Sequence, residues 1–416
     1  MVSEVRNLRL KFFDRMYRIP RLITRIFVSS FQNPSSRNSS AKIAFFSSGM
    51  HFQEMSEDGL ILAKAEYWIS VLERSGIGTQ TVLNPFSVEP SAKTSRHLHS
   101  IEYLSLNSLK RYLLVNDFKW VIDQCDTENK ISRSLKNKIC TQIYYDYLRE
   151  SNFKVIAGIA LPPELCVVAS HLDLPTYEFQ HGSSLTDELD SIGRYLTAPK
   201  FLFVWDSHYS KGRPNEKSLI HIGYPKRFQQ RTDLSNQLAG TSRLKILVSM
   251  SYGELESADP SGFLNEVLYR SIHAVLDDGH EVYLRFHPAV FTGLEISLND
   301  SKLIRDFLRW KQDQICLQNV NIDQRSNLFE SLANVDLHFT FASSTVIEAA
   351  YSGVASFLFC NVASAPNLPA ALFESGIVQF ACESSVISQI RASAKPISFQ
   401  NSMDEELFLK KMFNHF

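Results

Sequence analysis

The chain of 416 residues is 44% hydrophobic and 21% charged with a formal net charge of -1, a globular composition without the charge excess that would favour nucleic acid as a partner. A single core rarely organises a chain of this length, so two domains of about 150 to 230 residues are expected. Six scattered cysteines (Cys125, Cys140, Cys166, Cys316, Cys360 and Cys382) form no Cys-x-x-Cys pair and no zinc-type Cys/His cluster, which points to reduced thiols in a cytosolic protein, and no apolar run reaches the roughly 18 residues of a membrane span.

Residues 1–40 stand apart. "RNLRLKFFDRMYRIPRLITRIFVSSF" interleaves arginines and a lysine with Leu, Ile, Phe and Tyr, and Pro20 breaks it in two. Two readings fit it. The segment can lie in a membrane interface with its cations on anionic headgroups, or dock as a basic helix on the protein's own body. Arg18, Arg21 and Arg25 interrupt any apolar h-region, so no cleaved signal peptide is expected. "SSFQNPSSRNSSAK" reads as a polar linker.

From residue 41 to about 235 the pattern is strand, helix, strand. "KIAFFSS" predicts a strand, "GLILAKAEYWISVLERSG" a helix ending at Gly76, and "TQTVL" a second strand; residues 100 to 150 look mainly helical. "KVIAGIA", a helix start at Pro162 and "TYEFQHG" make a β-α-β unit, followed by "FLFVW" and "LIHIGYP". The composition turns polar at residues 236 to 243, and the pattern restarts through residue 416. "LKILVSM", "EVYLRF", "ICLQN", "DLHFTF" and "ASFLF" read as strands, with helices at "SGFLNEVLYRSIHAVLDDG", "SKLIRDFLRWKQ", "RSNLFESLANV" and "SSTVIEAAYSG". The fold class expected is α/β, two Rossmann-like doubly wound domains facing a cleft.

Ligands of open α/β sheets bind beyond the carboxyl ends of the strands. "EVYLRFHPAV" places Arg285 and His287 there, with Pro288 turning the chain away. A guanidinium and an imidazole suit a phosphate that gains negative charge; a surface arginine and a structural histidine are the plain alternative. "HFTFASSTVIEAAYSG" puts Ser343, Ser344 and Thr345 between a strand and a helix, where hydroxyls and free N–H groups can hold an anion. Glu348 fits a capping box with Thr345 as N-cap, or a carboxylate that accepts from a ribose diol.

"RFHP" followed by "FASSTVIEAAYSGV" resembles the donor half of the GT-B glycosyltransferases that build bacterial surface polysaccharides. These include bacterial sialyltransferases, capsule Kdo transferases and the related teichoic acid polymerases. In the sialyltransferases a His-Pro motif and a Ser-rich motif hold the nucleotide phosphate, which maps that role onto His287, Ser343, Ser344 and Thr345. Gln180-His181-Gly182, at the end of "YEFQHG", looks like the Gln-His-Gly motif of the Kdo transferases, where sialyltransferases have two acidic residues and a Gly. The resemblance implies a metal-independent transferase without cofactor. It would take a nucleotide-sugar donor, with a CMP-sugar favoured over a UDP-sugar, and a glycan or glycolipid acceptor.

His181 is the candidate base, since an imidazole titrates near neutrality, with Gln180 and Gly182 on the acceptor side. Asp187, Glu188, Asp190 and the pair Glu57-Asp58 before Gly59 are rival carboxylates. Asp277-Asp278-Gly279 reads as a helix end. "GYPKRF", with Gly223, Lys226 and Arg227, resembles the segment leading into the donor domain. A CDP-alditol phosphotransferase and a non-catalytic nucleotide-binding paralogue are the rival functions. No G-x-G-x-x-G follows "KIAFFSS" or "LKILVSM", which argues against a dinucleotide oxidoreductase. The expected location is cytoplasmic, peripheral on the inner membrane face if the N-terminal segment binds lipid.

Overall fold

Five consecutive buried residues, Ile43–Ser47 (β1), form an inner strand of the first sheet. A strand covered by helices on both faces has to be apolar on both, which is why it reads as an unbroken run. The computed structural model describes residues 41–47, 52–55, 59–62, 65–84, 98–100, 135–180, 186–224, 243–250, 266–286, 311–312, 317–323, 328–360, 368–381, 386–393 and 404–414. After β1 come an antiparallel hairpin of Phe52–Met55 (β2) and Gly59–Leu62 (β3), then Glu66–Arg74 (α1), Thr79–Leu83 (β4), Leu98–Ser100 (β5) and Leu135–Arg149 (α2). Val155–Gly158 (β6), Pro163–His171 (α3), Thr176–Phe179 (β7), Thr186–Ser191 (α4), Phe201–Val204 (β8) and Leu219–His221 (β9) complete the first unit's strands. Seven strands pair in parallel in the order β5-β4-β1-β6-β7-β8-β9.

The second unit repeats the plan. Its elements are Lys245–Ser249 (β10), Glu266–Asp277 (α5), Glu281–Arg285 (β11), Asn321–Ile322 (β12), Leu328–Ala333 (α6), Leu337–Thr340 (β13), Thr345–Tyr351 (α7), Ala355–Leu358 (β14), Ala370–Glu374 (α8), Val378–Phe380 (β15) and Val386–Ser393 (α9). The sheet is parallel in the order β12-β11-β10-β13-β14-β15. On α5 the buried residues Leu268, Ser271, Ile272 and Val275 recur at helical spacing and face the sheet. The helix ends at Gly279, whose φ of +87° is the left-handed conformation a C-terminal cap needs, so Asp277-Asp278-Gly279 is a helix end as the sequence suggests.

Each sheet reverses direction at its first strand. The chain fills one side of β1 with β4 and β5 and returns to the other with β6; it does the same around β10 with β11 and β13. At the first reversal the strands are pressed close. A Cβ on Gly158 would lie 2.0 Å from the Phe46 carbonyl oxygen, so only glycine fits there.

Three elements differ from the sequence reading. The helix expected over residues 59–76 starts only at Glu66, because "GLIL" pairs with β2, Met55 opposite Gly59; a short apolar run satisfies either period. "ICLQN" contributes a turn at residues 317–319, and the edge strand follows at Asn321. The second unit was expected to run to residue 416, yet the last helix, Glu405–Phe413 (α10), packs in the core of the first. Phe408 and Met412 are fully buried there among Trp68, Phe179 and Phe203. Residues 1–40, and the helix expected at 301–312 apart from residues 311–312, lie outside the described residues. No helix among the described residues is long and apolar enough to cross a membrane, and Cys140, Cys166 and Cys360 are buried free thiols.

Candidate functional site

The chain leaves β13 at Thr340 and reaches α7 through Phe341, Ala342, Ser343 and Ser344. Since the strand order of the second sheet reverses between β10 and β13, this turn sits at the switch point, the crevice in which doubly wound sheets bind ligands. Thr340 Oγ1 donates to the Ser249 carbonyl at 2.9 Å and so ties β13 to β10 at its rim. Ser343, Ser344 and Thr345 are half-buried. The Thr345 N–H donates to Ser343 Oγ at 3.3 Å, which fixes the turn from within. Ser344, and not Thr345, is the N-cap, and no side chain caps the helix, so the capping box expected of Thr345 and Glu348 does not form.

Glu348 is also poorly placed for a ribose diol. The residue is 4% exposed, and its carboxylate lies within electrostatic reach of Tyr209 and Tyr224 of the first unit. Burial pushes the Tyr224 phenol well above its ordinary pKa, and the neighbouring Glu348 charge adds to the shift. The reason is the packing of α7. Val346, Ile347, Ala350 and Tyr351 join one core with Trp205, Tyr209 and Tyr224, which follow β8 and β9. The helix behind the serine-rich turn is therefore one piece of the second unit that meets the carboxyl edge of the first, where Tyr351 stacks on Tyr224.

Arg285 ends β11, as the sequence places it, but its charge is already compensated. Its Nη1 donates to Asp323 Oδ2 at 2.8 Å and to Ser331 Oγ at 2.9 Å, and the Asp323 side chain is completely buried. Ser331 Oγ in turn donates to Asp323. The guanidinium anticipated as an anion ligand thus locks the ends of β11 and β12 to α6, because a buried carboxylate demands a cation. Gln180 departs from expectation in the same way. Its side chain is 1% exposed; Oε1 accepts from the Trp205 N–H at 3.0 Å, and its amide is hydrogen-bonded to the Tyr209 hydroxyl. It joins β7 to the segment after β8 and is too enclosed to meet an acceptor.

His181, Gly182 and His287 lie outside the described residues, as do Glu57, Asp58, Lys226 and Arg227. Asp190 of the rival carboxylates is paired with Arg213 at 3.1 Å. A pocket lined by Arg243, His280, Glu281 and Asn321 opens at the amino edge of the second sheet, opposite the switch point.

Two residues of the site, His338 and its partner Ser356, escaped the sequence reading. His338, in β13, is fully buried, with Nδ1 3.0 Å from Ser356 Oγ on β14 and Nε2 3.3 Å from Thr345 Oγ1. Desolvation alone holds its pKa down at about 3, so the ring is neutral. The signal was present, since a histidine in the apolar run "DLHFTF" is a buried polar group that needs partners.

No protein-family model matches the chain, and no curated protein matches it in sequence. Solved structures do match in fold. The UDP-GlcNAc 2-epimerase of Methanocaldococcus jannaschii in complex with UDP-GlcNAc and UDP superposes with a TM-score of 0.52 at 11% identity, covering 90% of this chain and 99% of that one. The UDP-GlcNAc 2-epimerase of Neisseria meningitidis gives 0.49 at 10% identity, over 90% and 99% of the two chains. The spinosyn rhamnosyltransferase SpnG gives 0.45 at 13%, over 90% and 91%. With its two parallel sheets, each reversing at its first strand, the chain has the GT-B fold: two Rossmann-like α/β units facing a cleft.

Proposed function

We propose that this protein is a GT-B glycosyltransferase that moves a sugar from a nucleotide-sugar, a CMP-sugar before a UDP-sugar, to a surface glycan or glycolipid acceptor. The observation that carries the reading is the turn Ser343-Ser344-Thr345 at the switch point of the second sheet, on the helix that meets the carboxyl edge of the first. Hydroxyls there, with His287, would stabilise the charge that develops on the departing nucleotide phosphate. Arg285 holds the end of β11 through Asp323. His181, one residue beyond Gln180 and beside Gly182, would take the acceptor hydroxyl's proton as general base.

The test is a donor panel of CMP-sugars, UDP-sugars and CDP-glycerol, read as nucleotide released with and without a glycan acceptor. Acceptor-dependent release from a nucleotide-sugar supports the transferase. His287→Ala should then lower turnover about 100-fold and weaken nucleotide binding. His181→Ala should lose roughly 100-fold to 10,000-fold in rate with nucleotide affinity kept. Transfer from CDP-glycerol would make the protein a phosphotransferase, and conversion of a nucleotide-sugar with no acceptor would make it an isomerising enzyme. Tight binding without turnover would leave a non-catalytic paralogue.

A further inference from the structure

Beneath the serine-rich turn, three side chains cross the second sheet in series: Ser356 on β14, His338 on β13 and Thr345 at the start of α7. His338 and Ser356 are paired residues of adjacent parallel strands, and both are buried. The imidazole is neutral, because enclosure without a charged partner pushes its pKa down to about 3. A neutral ring carries a single proton, and only one of its nitrogens donates.

Which nitrogen that is follows from matching donors to acceptors. Were the proton on Nδ1, the ring would donate to Ser356 Oγ, and Thr345 would turn its hydroxyl proton inward to Nε2. The Ser356 proton, enclosed at 1% exposure, would then face no acceptor among the described residues. With the proton on Nε2, Ser356 donates to Nδ1 and Nε2 donates to Thr345 Oγ1, so each buried donor is satisfied. A buried hydroxyl proton with no acceptor is costly, so the second arrangement prevails. The proton left over belongs to Thr345, which is half-buried at the turn.

We propose that His338 is a positioning residue that commits the Thr345 hydroxyl to donate outward, to an anionic oxygen of the nucleotide-sugar. The neighbouring hydroxyl is biased in the same sense, since Ser343 Oγ already accepts from the Thr345 N–H. A hydroxyl that could have either donated or accepted thereby favours phosphate oxygens and disfavours ligands that present N–H or O–H groups. The inference rests on the proposed function for its ligand, but the proton's position on the ring does not.

Two substitutions separate the histidine's nitrogens. His338→Gln places an amide N–H near the position of Nε2 and keeps the donor to Thr345, whereas His338→Asn reaches only the position of Nδ1 and leaves Thr345 without one. CMP and UDP affinities are measured by calorimetry on the full chain and on folded variants, with Thr345→Val as reference. His338→Asn should weaken nucleotide binding about tenfold, as should Thr345→Val, and the double variant should lose no more than either. His338→Gln should recover most of the loss. Equal losses in the Gln and Asn variants, or additive losses with Thr345→Val, overturn the proposal. Nitrogen NMR of histidine-labelled protein reads the tautomer without any ligand; a proton on Nδ1 of His338 also overturns it. If the Nε2–H tautomer is found and nucleotides bind while Thr345→Val changes nothing, the placement of the donor at this turn is wrong, and the claim that Thr345 serves it falls too.

Discussion

Tyr224, just beyond β9, and Tyr351, the last residue of α7, stack face to face with ring centroids 4.2 Å apart and 10° between their planes. Both rings are buried, and each belongs to a different unit. The stack should therefore couple the stability of the two halves. A double-mutant cycle on Tyr224→Leu and Tyr351→Leu, read by urea unfolding, should give a coupling of about 1 kcal/mol. Simple additivity would mean that each ring packs only within its own half.

The Arg285–Asp323 pair gives a second expectation. Asp323→Ala strands a guanidinium that is 13% exposed and should cost about 3–5 kcal/mol. Replacing both partners by apolar residues, Arg285→Met with Asp323→Leu, should recover much of that loss, and nucleotide affinity should be kept. If the double variant folds but no longer binds nucleotide, Arg285 reaches the donor after all.

His338 makes acid stability a third test. Its folded pKa of about 3 lies below the unfolded value of about 6.5, so below pH 6.5 the unfolded chain takes up a proton that the folded chain refuses. The stability it contributes is present above pH 6.5 and is lost as the pH falls toward 3, at about 1.4 kcal/mol per pH unit. Urea midpoints from pH 7 to pH 4 should fall more steeply for the wild type than for His338→Gln, which has no proton to gain. Parallel curves would show that the ring titrates normally.

Much of this architecture can be read from local pattern. The unbroken runs "IAFFS", "VIAG" and "ILVS" announce strands buried on both faces, and amphipathic helices between them imply parallel crossovers. The serine-rich turn is legible because strand, hydroxyls and helix are contiguous. What local pattern does not carry is pairing across distance. Nothing near Arg285 reveals Asp323, which lies 38 residues on, and nothing in "EELFLKKMF" says which sheet its apolar face will cover. Gln180 is a case of the same kind. Its partners Trp205 and Tyr209 arrive from the next strand's exit, and they turn a side chain at a strand end into part of the core.

The N-terminal segment supplies the last test. Removing residues 1–40 should leave the folded body intact and reduce sedimentation with anionic liposomes, an effect that high salt should mimic. A full-length chain that ignores such liposomes at low salt would favour the segment docking on the protein's own body.

The last helix also dictates an order of assembly. Phe408 and Met412 fill the first unit's interior from a position more than three hundred residues beyond Trp68, the ring that Phe408 meets at 4.6 Å. Asp404 anchors the return, its N–H donating to the Ile222 carbonyl at 3.0 Å while Oδ1 accepts from the Leu407 N–H. During synthesis the first unit thus emerges with an aromatic slot that stays open to water until the whole second sheet has been made and residues 405–413 follow it. A fragment stopped near residue 235 would keep that slot uncovered and be prone to aggregate, so the unit begun before the other is closed after it.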